Sequence, residues 1–272
     1  MKKIELEEQK KIMIRILEYF DKVCRENNIK YSLIGGSLIG AIRHKGIIPW
    51  DDDIDVILSR KEYLKIIDIL EKKEDSRFKL LTRNTCKDYF FPFPKLIDKR
   101  TYVIEPQNLE QISEYGIYID IFSYSNVSNE EKERVKDVKK IKLLNSMMSR
   151  KKLNLKTDGL KQNFLRVNKN ILSKIIGYSC ICKKLDSIYG KYNEVHTNYV
   201  ISNWPIYKLE KEIQNSNNIK EFIDIKFETI CVMIYKNYDE ILKTTFGNYM
   251  QLPPENKRKS HGLIAYWRED NE

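Results

Sequence analysis

Residues 33–56 read LIGGSLIGAIRHKGIIPWDDDIDV, and this stretch decides how the rest of the chain is interpreted. A short apolar strand runs into a Gly-Gly-Ser turn at 35–37, and the pattern after it predicts a short helix over 37–44. A basic Arg-His-Lys group follows at 43–45. A run of carboxylates then ends in Asp-Ile-Asp at 53–55. This order favours a phosphate-binding turn placed beside a divalent-metal site.

The carboxylate run predicts paired metal ligands. In a strand over 53–58, Asp53 and Asp55 project from one face and the apolar residues between them from the other. Two such carboxylates repel each other unless a cation compensates them, and Mg²⁺ commonly sits on one or two carboxylates plus substrate phosphates. Asp120, in the apolar run YIDIF, is the candidate third acid, because burying it there is costly unless it is coordinated or paired. The alternatives are a plain exposed acidic cluster and, for Asp120, an acid at a strand edge.

The diglycine turn predicts an anion site. Gly35 and Gly36 give the backbone freedom for a tight turn at a helix start, where Ser37 and unpaired N–H groups favour an anion. The basic residues that follow would supply cations for phosphate oxygens. These residues are Arg43, His44 and Lys45.

The remaining apolar patterns place the other elements. Helices are predicted over 4–28, 61–72 and 239–246, and strands over 31–34, 78–81, 93–97, 101–104 and 116–124. An extended run follows at 227–235. From 129 to 192 the pattern is helical and basic, with no turn-rich linker on either side. We therefore expect one domain over 1–272, with an N-terminal helix over 1–28 and a helical insertion over 129–192.

Composition restricts the class of protein. The 272 residues are 42% hydrophobic and 32% charged, which is typical of a soluble globular chain. No apolar run approaches the roughly 20 residues that span a bilayer, and the N-terminus lacks the apolar centre of a secretory signal. Five scattered cysteines and three histidines argue against a structural zinc site. The expected location is the cytoplasm.

The net charge of +10 is concentrated in one segment. Residues 129–184 hold 16 Lys or Arg against 5 Asp or Glu, which accounts for the whole excess. Such a surface attracts polyanions, either nucleic acid, anionic lipid or a phosphate-rich glycan, unless it is only a well-solvated helical face. Paired apolar residues between 171 and 181, flanked by lysines, fit a helix on an anionic membrane surface. They fit equally a helix packed on the domain.

The order of these features resembles the nucleotidyltransferase-like superfamily, and more closely the LicD-type phosphotransferases and their fukutin-related relatives. The segments that carry the resemblance are RHKGIIPWDDDIDV at 43–56, GIYIDIF at 116–122 and FGNYMQLPPENKRKSH at 246–261. The resemblance implies an α+β fold, in which helices flank a nucleotidyltransferase-like mixed sheet and the basic helical segment is an insertion.

The resemblance also implies an activity. Such enzymes move a phospho-alcohol group, typically phosphocholine from a CDP-alcohol such as CDP-choline, onto a hydroxyl of a cell-surface glycan or its lipid-linked precursor, as in teichoic acid or lipopolysaccharide. Mg²⁺ or Mn²⁺ would be held by Asp53, Asp55 and Asp120, which would also be the catalytic residues. Further residues implied to bind substrate are Lys95, Arg258 and His261. Peripheral contact with an anionic membrane would place the protein at its inner face.

Two other classes stay open. An NTP-dependent nucleotidyltransferase acting on a small hydroxylated acceptor would share the metal geometry. A non-enzymatic nucleic-acid binder would use the basic segment. The C-terminal segment at 246–261 counts against both, since neither class needs it, and no nucleic-acid partner is expected.

Overall fold

The computed structural model describes residues 1–108, 111–148 and 155–269, and a seven-stranded sheet forms the centre of this part of the chain. The helices are α1 Leu6–Glu26, α2 Gly35–Ile39, α3 Arg60–Lys72, α4 Glu131–Met148, α5 Leu155–Ile176, α6 Tyr178–Gly190, α7 Leu209–Glu212 and α8 Tyr238–Phe246. The strands are β1 Lys3–Ile4, β2 Ser32–Leu33, β3 Asp55–Ser59, β4 Phe78–Leu81, β5 Lys95–Asp98, β6 Thr101–Ile104, β7 Tyr118–Val127, β8 Tyr199–Ser202, β9 Ile213–Asn215, β10 Phe222–Phe227, β11 Ile230–Tyr235 and β12 Ile264–Trp267.

The central sheet is mixed, as the sequence predicted. Its strand order is β2-β3-β7-β5-β4, with β8 paired to β7 and β9 to β8. The β3–β7 pair is parallel, and the other pairs are antiparallel. Helices flank the sheet, so the predicted mixed α/β architecture is confirmed.

Strand β7 organises this sheet. All but one of its residues are buried, which fits a central strand covered on both faces. Asp120 in β7 pairs in register with Asp55 of β3 on one side and with Lys95 of β5 on the other. Three charged residues therefore lie in one row across three adjacent strands.

Helix α1 covers the sheet with a regular apolar stripe. Ile12, Ile16, Phe20 and Val23 recur at helical spacing and are all buried in the main core. The predicted helix start at residue 4 is wrong by two residues, because Ile4 belongs to β1 and pairs with β12. Strand β12 also pairs with β6, so a small three-stranded sheet joins the two ends of the chain.

Several predicted boundaries shift for physical reasons. The helix expected over 37–44 begins earlier, since α2 includes both glycines, and it continues as a π-helical turn over Gly40–His44. The strand expected from residue 53 begins at Asp55, so Asp53 lies in the extended segment just before the ladder. Strands β8, β9, β10 and β12 were not predicted. Strands β8 and β12 are short and pair with strands distant in sequence, whereas β10 forms a hairpin with β11.

The basic segment is helical as expected and contains α4, α5 and α6. It connects β7 to β8, two strands that pair with each other. Its own apolar cluster joins α4 and α6 to those strands, with Val138, Ile181 and Ile201 at its centre. Within the described residues, no helix combines the length and apolar character needed to cross a membrane.

Candidate active site

A cavity of about 410 Å³ opens beside the β3–β7 pair. It is lined by Gly35 and Gly36 and by a cluster of charged residues, which are Asp51, Asp53, Asp55, Asp120 and His261. Six aromatic rings also line it and are called the aromatic wall here: Phe93, Phe122, Tyr124, Trp204, Tyr207 and Phe246. The cavity therefore combines a cluster of acids with a surface of rings.

The diglycine turn lets carboxylates approach the backbone. Gly35 has a positive φ of 61°, and a Cβ atom there would lie 3.3 Å from Asp55 Oδ2. A Cβ atom on Gly36 would lie 2.7 Å from Asp51 Oδ2, which is closer than real contacts allow. Ser37 Oγ accepts a hydrogen bond of 2.8 Å from the backbone N–H of Asp55. The predicted anion turn thus packs directly against the acids, and the buried Ser37 holds β3 in place beneath the cavity.

Lys95 neutralises Asp120 at the base of the site. Its Nζ lies 2.6 Å from Asp120 Oδ1, and the two side chains are 2% and 10% exposed. Aromatic rings surround the ammonium group, with the Tyr118 centroid at 3.5 Å and that of Phe91 at 4.6 Å. Cation–π attraction and the ion pair together compensate the burial of this charge. Lys95 does not line the cavity, so it reaches the site through Asp120.

The carboxylates that line the cavity repel one another. Burial, followed by the charge of Asp51, raises the pKa of Asp53 to about 7. Burial and the charges of Asp53 and Asp120 raise the pKa of Asp55 well above its usual range. Burial raises the pKa of Asp120 to about 6 despite the nearby charge of Lys95. Such mutual repulsion in a cavity is what a divalent cation would relieve.

Asp52 ties the C-terminal segment to the site. Its carboxylate accepts hydrogen bonds from the backbone N–H groups of His261, Gly262 and Leu263, at 3.0, 3.0 and 3.1 Å. Burial opposes ionisation of Asp52, but the hydrogen bonds from His261 and Leu263 outweigh it and lower the pKa. His261 therefore lies where the sequence placed it, at the cavity.

His261 bridges the acids. Its Nδ1 lies 3.0 Å from Asp52 Oδ1 and 3.3 Å from Asp53 Oδ2. The hydrogen bond to Asp52 raises the pKa of His261 to about 9, against the effect of burial. Ligand atoms of Asp51, Asp53 and His261 all lie within 4.8 Å of one another, the one such trio in the described ranges. The carboxylate oxygens of this trio are suitable ligands for Mg²⁺ or Mn²⁺.

Four of the basic residues assigned to substrate binding lie off the cavity wall. Arg43 donates from Nη1 to the carbonyl oxygens of Tyr249 and Gln251, at 2.6 and 3.2 Å, and so holds the C-terminal loop. His44 packs edge-on against Trp50, and the Arg258 guanidinium lies over the same ring at 5.4 Å. The exposed residue Lys45 ends the π-helical turn with a left-handed backbone.

Sequence reasoning missed part of the site. It treated Asp51 and Asp52 as members of an acidic run without assigning them roles, although alternate positions of DDDID line the cavity. The aromatic wall carried no usable sequence signal, because its six rings come from four separate segments. Trp204 and Tyr207 follow β8, a strand that was not predicted.

Comparison with known proteins identifies the family of this chain. Residues 28–149 match the family model described as LicD/FKTN/FKRP, nucleotidyltransferase domain. Over 97% of the chain, 32% of residues are identical to the lipopolysaccharide cholinephosphotransferase LicD of Haemophilus influenzae, of which 98% is covered. The chain belongs to the LicD family.

Two shorter matches are to uncharacterized proteins of Rickettsia. The Rickettsia prowazekii protein is 31% identical over 29% of this chain and 32% of its own length. The Rickettsia typhi protein is 28% identical over 39% of this chain and 37% of its own length. Both matches cover only part of each chain, so the full-length Haemophilus relative carries more weight.

Replacing Lys95 by Met should lower the free energy of unfolding by about 3–5 kcal/mol, because it leaves Asp120 buried without its partner. Urea denaturation measures this loss. The double variant Lys95→Met/Asp120→Asn should recover part of it. Lys22→Met is the control: that lysine pairs with Glu26 at 3.9 Å on the exposed face of α1, so its loss should cost about 0–1 kcal/mol. Equal losses in Lys95→Met and Lys22→Met would contradict a structural role for the buried pair.

In chelator-treated protein, Asp53 should destabilise the fold increasingly as pH rises from about 4 to 7. Its pKa in the folded protein is about 7, above the ordinary value of 3.8. The free energy of unfolding is therefore highest below about pH 3.8 and falls as the pH rises to about 7. Between those pH values, the free energy of unfolding of Asp53→Asn should therefore rise by up to about 4 kcal/mol relative to wild type. Chemical denaturation across this range tests the prediction. The variant Asp68→Asn, at an exposed acid, serves as the control. A stability difference between Asp53→Asn and wild type that stays constant with pH would refute the prediction.

Proposed function

We propose that this protein transfers a phospho-alcohol group, in the first place phosphocholine from CDP-choline, onto a hydroxyl of a lipopolysaccharide or related cell-surface glycan. The observation that carries the proposal is the set of carboxylates at one cavity in a chain similar, over nearly its full length, to a lipopolysaccharide cholinephosphotransferase. Teichoic acid and lipid-linked precursors are acceptors of the same chemical kind. Such an acceptor would place the protein at the cytoplasmic face of an anionic membrane.

The donor set suits a hard divalent cation. Asp53, Asp55 and Asp120, which line one cavity, would hold Mg²⁺ or Mn²⁺, as the sequence predicted. Asp51 and His261 lie close to Asp53, and the carboxylate of Asp51 could join these ligands. When bound, the ion would neutralise charge on the diphosphate of the donor. The Gly35–Gly36 turn, next to these acids, would contact the same phosphates with its backbone.

The transfer itself needs a base and a leaving group. The acceptor hydroxyl oxygen attacks the phosphorus of the phosphocholine, and the bond from that phosphorus to the CMP oxygen breaks. Asp120 lines the cavity and would accept the hydroxyl proton, while Lys95 holds its carboxylate in place. Arg43 and Arg258 would act indirectly, by holding the 249–261 segment that brings His261 to the cavity.

The aromatic wall supports choline as the alcohol. A quaternary ammonium binds over ring faces, with Trp the strongest partner. Trp204 and Tyr207 line the same cavity as the carboxylates, and the carboxylate of the buried Glu212 accepts a hydrogen bond from the backbone N–H of Tyr207. A cationic head group would therefore find rings and a carboxylate in the cavity that also holds the phosphate-binding groups.

The test is product analysis with purified protein, Mg²⁺ and a panel of CDP-choline, CDP-glycerol and CDP-ribitol. With lipopolysaccharide present, CMP should be released from CDP-choline faster than from the other two donors. Asp53→Asn should lower the rate by at least about a hundredfold, because it removes a carboxylate that would hold the cation neutralising the diphosphate. Asp68→Asn, an exposed acid on α3, should leave the rate unchanged.

Two outcomes would overturn the proposal. One is release of pyrophosphate from an NTP with a small hydroxylated acceptor, which would indicate a nucleotidyltransferase. The other is CMP release that is the same in Asp53→Asn and wild type, which would remove the carboxylate cavity from the reaction.

A further inference from the structure

Helix α5 has its polar side turned inward and its apolar side turned outward. Asn163 and Ser173 are 4% and 0% exposed, whereas Leu160 and Ile175 are 79% and 75% exposed. Further large apolar side chains exposed on the helix are Phe164, Leu165, Val167, Ile171, Leu172 and Ile176. A surface helix of a water-soluble domain normally buries such a stripe, so this orientation is the reverse of the usual one.

The apolar side of α5 is absent from the protein core. Helices α4 and α6 pack against each other and against β7 and β8 with residues such as Ile141 and Leu185. Helix α5 contacts both helices, yet none of its described side chains belongs to a hydrophobic cluster. A contiguous exposed apolar surface of this kind marks an interaction site.

The charge of the helix identifies the chemistry of its partner. Between residues 159 and 176 the chain carries Lys161, Arg166, Lys169 and Lys174 and no Asp or Glu. Cations beside an outward apolar face are typical of a helix lying in the interface of an anionic bilayer. A second copy of this chain would bring the same positive charge to the contact and would be repelled.

We propose that α5 is a membrane-docking helix that lies on an anionic lipid surface with its apolar side inserted. The exposed residues Leu160, Phe164 and Ile175 would enter the boundary between head groups and acyl chains. Lys161 and Lys174 would pair with lipid phosphates.

A cavity beside the docking helix has residues in common with the active-site cavity. A second cavity of about 420 Å³ lies between α4, α5 and the loop 204–206, and it is lined by Arg166 and Lys169 together with Trp204 and Ile206. Trp204 and Ile206 also line the main cavity. A glycan carried on a lipid could therefore pass from the bilayer surface to the carboxylates along one continuous surface. This last step, unlike membrane binding itself, rests on the proposed function.

Vesicle flotation with the full chain tests the proposal. Wild type should bind vesicles of phosphatidylglycerol and phosphatidylcholine at least about tenfold more tightly than pure phosphatidylcholine. Leu160→Ser/Phe164→Ser/Ile175→Ser should lose about tenfold or more of that affinity. Lys161→Gln/Lys174→Gln should lose about fivefold per lysine, and only on anionic vesicles. Leu64→Ser/Val195→Ser, which removes two exposed apolar side chains elsewhere, is the matched control and should bind like wild type.

The proposal is overturned if wild type binds both vesicle types equally or neither. It is also overturned if the α5 variant binds vesicles like the control. A dimer seen by sedimentation, absent in the α5 variant and without vesicle binding by wild type, would overturn it as well. Transfer of phosphocholine to a soluble sugar acceptor, measured as CMP release, separates the two proposals, because the α5 variants should retain this activity. If no protein releases CMP but vesicle binding still depends on α5, the docking helix stands and the transferase assignment fails.

Discussion

The register of one strand pair determines the rest of this molecule. By pairing in parallel, β3 and β7 set Asp55 opposite Asp120, and β5 sets Lys95 opposite Asp120 on the other side. A shift of one residue in β7 would turn Asp120 to the opposite face of the sheet and leave Lys95 buried without a partner. The surrounding features follow from this row: the diglycine turn that approaches Asp55, the serine that holds its backbone, and the aromatic rings that enclose the lysine.

The protein balances two of its buried carboxylates by different means and leaves a third group of carboxylates largely uncompensated. Asp120 has an ammonium partner, and Asp52 is surrounded by backbone N–H groups from the C-terminal segment. Asp51, Asp53 and Asp55 have no comparable compensation beyond His261, and their pKa values are raised accordingly. Repulsion left in place at one cavity, while neighbouring charges are neutralised, is typical of a functional site. The turn beside these acids is a diglycine because Gly35 has a positive φ and a Cβ atom on Gly36 would collide with Asp51 Oδ2.

Local patterns in the sequence predicted local structure well. Alternating apolar residues around 53–58 and 116–124 located both key strands, and α1, α3 and α8 were placed within about two residues at either end. The motif around 43–56 identified the family, which the full-length comparison with the Haemophilus protein confirmed. The metal ligands and the roles of individual site residues stay predictions.

Long-range placement could not be derived from the same patterns. Arg43 was assigned to phosphate because it follows the diglycine turn, and Arg258 to substrate through the resemblance, but both donate to backbone carbonyls of the C-terminal loop. Asp52 is one residue from the assigned Asp53, yet only the return of residues 261–263 gives it a role. The apolar residues of α5 predicted a helix, but periodicity alone cannot tell whether the apolar side faces the core or the solvent.

The most direct test of the central claim is a Mn²⁺ titration followed by electron paramagnetic resonance at neutral pH. The carboxylate cluster predicts a saturable Mn²⁺ site that Mg²⁺ displaces, with affinity lost in Asp53→Asn and retained in Asp68→Asn. Absence of bound Mn²⁺ in wild type, or equal affinity in Asp53→Asn, would contradict the account.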